Sequence, residues 1–151
     1  MRALALLLAF ATPAFAGDEP LPTQTKVVDT NTRTALLGER LLTLQWIAFT
    51  HAGGRAEITD DHGLLRVKGQ QPGKDGDLLT VEGVIKEVGA KQFVLVGTIV
   101  TKVSHIYSGN SCSRSGTFTF RQTGKRKYFR LKEMVNPCEG GNLVDYVDVY
   151  L

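Results

Sequence analysis

From Leu42 onward, apolar side chains recur at every second position in short runs separated by glycine-rich or Asp-rich turns. That period belongs to strands with one face buried. The first run is Leu42-Thr43-Leu44-Gln45-Trp46-Ile47, punctuated by Gly53-Gly54. Arg55 to Thr59 and Leu64 to Lys68 flank Asp60-Asp61-His62-Gly63, which reads as a hairpin turn. A polar loop from Gln70 to Asp77 follows.

Leu79, Val81, Gly83 and Ile85 then alternate with Thr80, Glu82, Val84 and Lys86. After a turn at Gly89-Ala90, Phe93, Leu95, Gly97 and Ile99 alternate with Val94, Val96, Thr98 and Val100. This strand is apolar on both faces, which predicts a central or covered position. Gly83 and Gly97 predict bends or bulges that let a sheet curl.

Ser108 to Ser115 reads as a loop around Cys112. Phe118 and Phe120 point one way, and Thr117, Thr119 and Arg121 the other. Thr123-Gly124-Lys125 turns the chain, and Phe129 and Leu131 then oppose Tyr128, Arg130 and Lys132. A closing strand from Val144 to Leu151 sets Val147, Val149 and Leu151 against Tyr146, Asp148 and Tyr150. It predicts Asp145 and Asp148 on opposite faces. The expected fold is all-β, a small antiparallel meander barrel of about eight strands, because nearly every connection is local. A two-sheet sandwich and an oligonucleotide-binding-type barrel are the alternatives.

The N-terminal part departs from this alternation. Arg2, the apolar run Ala3 to Ala11, Pro13 and Ala14-Phe15-Ala16 together read as a secretory signal peptide over residues 1–16, cleaved after Ala16. Residues 17–36, with Pro20 and Pro22, predict an extended leader or linker. Within it, Lys26-Val27-Val28 suits a short edge strand, and Thr34 to Leu42, which runs past its end, is the single stretch suited to a helix of one or two turns. Residues 37–151 then form a single β domain. No later apolar run approaches the length of about 20 residues that a spanning helix needs. The expected destination is the periplasm or the extracellular medium.

That compartment decides how the two cysteines are read. In an exported chain, Cys112 and Cys138 predict one disulfide, because neither has a neighbouring His and their spacing fits no metal or redox motif. Closing that loop stabilises the fold by roughly 3–4 kcal/mol on the chain-entropy account.

Net charge is a mild +3 and names no partner, but its distribution is uneven. Arg121, Lys125, Arg126, Lys127, Arg130 and Lys132 crowd a stretch that has no acidic residue. Alternation places Arg126, Tyr128, Arg130 and Lys132 on one face, beside Arg121 of the preceding strand. Arginine forks suit oxyanions and tyrosine offers a stacking surface. The same face also suits plain cross-strand pairing with Tyr146, Asp148 and Tyr150.

Other chemistry is weaker. His51, His62 and His105 fall in three separate turns, so no zinc ligand set is expected. Ser104-His105 lacks an orienting group and no Gly-x-Ser-x-Gly elbow exists, so no catalytic residues are assigned. No cofactor is expected. The sequence therefore predicts an exported, non-enzymatic binding protein. Its ligand is either a small apolar molecule inside the barrel or an anionic envelope component at the basic face. A small eight-stranded outer-membrane barrel and an inhibitor or interaction module acting on another protein are the alternatives. Nucleic acid is not an expected partner for an exported chain.

Overall fold

The computed structural model describes residues 20–48 and 53–151. The expected signal peptide, its cleavage after Ala16, and His51 lie outside the described residues.

The chain forms β1 (Lys26–Val27), α1 (Thr30–Leu36), β2 (Gly38–Leu44), β3 (Gly54–Asp61), β4 (Leu64–Pro72), β5 (Leu78–Gly89), β6 (Gln92–Lys102), β7 (Ser111–Arg121), β8 (Tyr128–Leu131) and β9 (Val147–Tyr150). Strands β2 to β9 each pair antiparallel with their neighbours in sequence, and β9 returns to β2. Leu42 lies opposite Val149 and Leu44 opposite Val147 at that closure. The result is an eight-stranded up-and-down barrel rather than a sandwich or an oligonucleotide-binding-type barrel. The additional strand, β1, runs parallel to β5 at Glu87 and Val88, just past the point where β4 stops pairing at Val84.

Several local expectations shift: β4 runs on through Gln70 to Pro72 in place of the expected loop, and Leu151 lies exposed beyond β9. The helix is Thr30–Leu36 instead of Thr34 to Leu42, so residues 17–36 are not extended throughout. Asp29 is the reason. Its side chain accepts the Thr32 N–H at 2.6 Å and caps the helix start. Gly38, at φ 99°, turns the chain out of the helix and into β2. Leu36 is fully buried, and Thr25 ties the segment to the barrel. Its hydroxyl donates to the Ile85 carbonyl at 2.6 Å and accepts the Leu65 N–H at 2.8 Å. A further shift concerns residues 111–115, which are strand rather than loop because they pair in full with β6, Cys112 opposite Thr101.

Inward-facing side chains fill the barrel. Phe93 stacks on Phe120 with ring centroids 4.8 Å apart and meets Phe129 edge-on at 5.5 Å. Leu42, Leu44, Leu79, Leu95, Ile99 and Leu131 continue one buried cluster along the axis. Gly83, Gly97 and Gly116 stand in register across β5, β6 and β7. A Cβ at Gly83 would fall 2.3 Å from the Val96 carbonyl oxygen, and one at Gly97 2.1 Å from that of Glu82. Only glycine permits the sharp curl there, and a register shift between Ile85 and Glu87 adds to it.

The outside is polar. Arg55, Glu57, Arg66, Lys68 and Glu82 project outward from β3, β4 and β5. This polarity is the reverse of a membrane barrel, whose lipid-facing side chains are apolar. The outward valines of β6 are half-buried, and Val96 lines an outer groove of about 1230 Å³ that Pro20, Leu21 and Pro22 border.

Candidate functional site

The basic face forms where β7, β8 and β9 lie side by side. Phe118 and Phe120 point inward from β7, and Phe129 and Leu131 from β8. Period-2 alternation therefore forces Arg121 and Arg130 outward. Register does the rest. Arg121 is directly opposite Arg130, and Arg130 directly opposite Asp148. A row of two guanidinium groups and one carboxylate crosses three strands.

Arg130 is held firmly. Its Nε and Nη2 donate to the two oxygens of Asp148 at 2.8 and 2.7 Å, a bidentate fork. Its guanidinium carbon lies 4.1 Å from the Tyr146 ring centroid and 5.0 Å from that of Tyr128. The Asp148 hydrogen bonds hold the Arg130 pKa above its ordinary value, against a smaller loss from burial. Tyr128 packs on Tyr150 at 5.1 Å.

The other cations are less committed. Arg121 donates from Nε to Gln92 Oε1 at 3.3 Å, leaving its two terminal nitrogens outward. Arg126 sits in the β7–β8 turn with its guanidinium 5.6 Å from the Tyr128 ring. Lys132 follows β8 and is exposed. Among the described residues, no carboxylate makes an ion pair with Arg121, Arg126 or Lys132. These three and Arg130 line one small pocket of about 170 Å³, with Thr123, Leu131, Met134 and Tyr146. Of the residues singled out in the sequence, Arg121, Arg126, Arg130 and Lys132 are brought together. Tyr128 stacks at the edge of the group, and Tyr146 takes the wall that alternation assigned to it.

Residues 24–151 match the PM1083 family. The chain belongs to that family. A relative, described as uncharacterized protein PM1083 from Pasteurella multocida strain Pm70, is 43% identical over 115 residues, covering 76% of this chain and 72% of that protein. No solved structure matches the chain.

Behind the basic face, this PM1083 family member carries a buried polar cluster that sequence reasoning missed. Arg114 shares the parity of Phe118 and Phe120 and so points into the barrel. Its Nη2 reaches Asp145 Oδ2 at 3.4 Å and its Nη1 donates to the Glu133 carbonyl at 2.7 Å, while its Nε is buried without a partner. Asp145 precedes β9 rather than lying on it, and is 1% exposed. It also accepts from Trp46 Nε1 at 3.1 Å and from Asn136 Nδ2 at 3.0 Å. Burial pushes the Asp145 carboxyl above its usual range, opposed by Arg114, Trp46 and Asn136. Burial likewise lowers the Arg114 pKa.

The predicted disulfide is present beside this cluster, Cys112–Cys138 with Cα atoms 5.9 Å apart. Asn136 Oδ1 accepts the backbone N–H groups of Cys138 and Glu139 at 2.9 and 3.0 Å. The Glu139 carboxylate in turn accepts the Tyr107 N–H. Gln45 fixes the strand entry, accepting the Tyr146 N–H at 2.7 Å and donating to the Val144 carbonyl at 2.8 Å. The 132–146 segment that supplies Lys132, Met134 and Tyr146 to the pocket is thus pinned from behind.

The remaining candidates stay apart. His62 is exposed in its turn, 3.0 Å from Asp61. His105 meets Trp46 edge-on at 6.2 Å. Among the described residues, no group of three or more His, Cys, Asp or Glu side chains is placed to hold a metal ion.

Proposed function

We propose that this chain is an exported binding protein that recognises an anionic component of the cell envelope through the basic face of β7 and β8, acting by binding rather than by catalysis. One observation carries the reading. Two arginines stand directly opposite each other, and a single carboxylate, Asp148 on the neighbouring strand β9, balances only one of them. Like charges at such positions disfavour the sheet, and an arriving anion relieves that repulsion. Residues 1–16 and the Cys112–Cys138 bond support a periplasmic or extracellular setting, where disulfides persist. The small apolar ligand loses support, because Phe93, Phe120, Phe129 and their neighbours occupy the barrel interior.

The test is binding to polyphosphate and to heparin as generic polyanions. Wild-type protein should bind both, with affinity falling steeply as salt rises. The Arg126→Ala/Lys132→Ala variant should keep its melting temperature, since both side chains are exposed, and lose most of that affinity. Unchanged or salt-independent binding by the variant would overturn the reading.

A further inference from the structure

We infer that the pocket between Arg121, Arg126, Arg130 and Lys132 takes a terminal phosphate monoester, the dianionic end of a lipid headgroup or of a soluble phosphorylated sugar. The inference rests on the anion-binding reading of the same face and narrows it from charge in general to one chemical group.

Size is the first argument. A pocket of about 170 Å³ has room for one tetrahedral group and its ester oxygen. Charge is the second. Four cations line it and one, Arg130, is already neutralised by Asp148, leaving three positive charges. A phosphate monoester carries about −1.5 to −2 at neutral pH. A carboxylate or a phosphodiester carries only one negative charge and leaves most of those three positive charges uncompensated. Donor geometry is the third. The free terminal nitrogens of Arg121 and Arg126 and the Lys132 ammonium approach from β7, the turn and the end of β8, so separate donors can meet separate oxygens of one group. Met134 and the Tyr146 ring supply carbon to the remaining side. The carbon of that wall suits the carbon of the ester.

Among the described residues, Asp148 is the one carboxylate in contact with the site's cations, and both its oxygens are engaged by Arg130. The Glu133 carboxylate accepts the Thr119 N–H at 2.9 Å and does not line the pocket. The pinned Arg130 is therefore a positioning residue. It sets the floor of the pocket and leaves contact with the ligand to the three uncommitted cations.

The experiment is calorimetric titration of the full chain with glucose 1-phosphate and, as its singly charged counterpart, dimethyl phosphate, both at low salt. A second arm uses sedimentation with vesicles containing phosphatidic acid or phosphatidylglycerol at equal mole fraction. The monoester should bind at least about tenfold more tightly than the diester, and Arg126→Ala should remove most of that preference at unchanged melting temperature. Binding of phosphatidic acid vesicles over phosphatidylglycerol vesicles assigns the group to a lipid. Preference for the soluble monoester alone assigns it to a glycan or metabolite. Equal binding of monoester and diester, or a preference that survives Arg126→Ala, overturns the inference. Should polyphosphate and heparin still bind in that case, the broader anion-binding reading stands. Loss of all binding removes both.

Discussion

Two Arg–Asp pairs join the last third of this chain, and they have opposite characters. Arg130–Asp148 lies on the outer face, bidentate at 2.8 and 2.7 Å, with side chains 23% and 6% exposed. Arg114–Asp145 lies inside the barrel, a single contact at 3.4 Å, with side chains 9% and 1% exposed. On the face, hydrogen bonding outweighs burial and raises the Arg130 pKa. Inside, burial outweighs attraction, and both groups shift toward their neutral forms. The same residue pair is an anchor where water reaches it and an electrostatic load where water does not. Burial therefore decides which arginine can serve a ligand. Arg130 leaves its neighbours Arg121, Arg126 and Lys132 free for one, whereas Arg114 spends its donors on Glu133 and Asp145.

The sharpest way to break this comparison is Asp145→Ala. Trp46 Nε1, Asn136 Nδ2 and Arg114 Nη2 would all lose their acceptor in a buried site. The expected loss is about 4 kcal/mol, the scale of removing one member of a buried pair. Replacing both partners, Arg114→Met/Asp145→Leu, should recover most of that loss, since no orphaned charge remains. Urea melts of the single and double variants decide it. A double variant no better than the single one would mean that the pair is net favourable and the contrast false.

Next in size is the disulfide. Cys112→Ser/Cys138→Ser should cost about 3 kcal/mol by denaturant unfolding, as expected for closing a loop of this length. It should also lower affinity at the basic face, because the 132–146 segment would lose one of the ties behind Met134 and Tyr146. Full stability with weakened binding would locate the effect in positioning alone.

On the face, Asp148→Asn should cost less, about 2 kcal/mol, as a charge-assisted hydrogen bond is traded for a neutral one. Polyphosphate affinity should rise, since the face gains one net positive charge. A fall in affinity at unchanged stability would mean that the fixed orientation of Arg130 matters more than the charge of the face.

The barrel and the basic face were legible because period-2 alternation and short hairpins are local signals. Phe118, Phe120, Phe129 and Leu131 sufficed to point Arg121 and Arg130 outward. The same parity points Arg114 inward, yet serines on both sides of Cys112 made that stretch resemble a loop. Asp145 carried no such signal. It sits in an aperiodic segment whose burial depends on Trp46 and Asn136, far away or irregularly spaced in sequence. The helix was displaced for a smaller reason. The Asp29 cap, beside Thr30, starts the helix four residues before Thr34, and Gly38 ends it well before Leu42.

The smallest effect tests the electrostatic half of the comparison alone. Asp60 and Asp61 are exposed and Asp29 half-buried, and all three carboxylates have lowered pKa values. Hydrogen bonds from the Thr32 backbone, the Gly63 backbone and the His62 ring are the respective leading causes. A lowered folded pKa contributes stability above the unfolded value of about 3.9, and that stability is lost as pH falls through the folded value. Asp145 runs the other way. Its raised pKa contributes stability at low pH that is lost as pH rises through the folded value. Asp145→Asn removes that titration and leaves the other three untouched, so their contributions cancel in a comparison with wild type. Melting temperatures should place the Asn variant below wild type at pH 7, by less than Asp145→Ala, because the amide keeps one acceptor oxygen but leaves the Arg114 charge unpaired. Wild type should then gain on the variant steadily toward pH 3. A gap that moves in the opposite direction would mean that Arg114 stabilises the Asp145 charge more than burial penalises it, and the two pairs would then differ in exposure but not in sign.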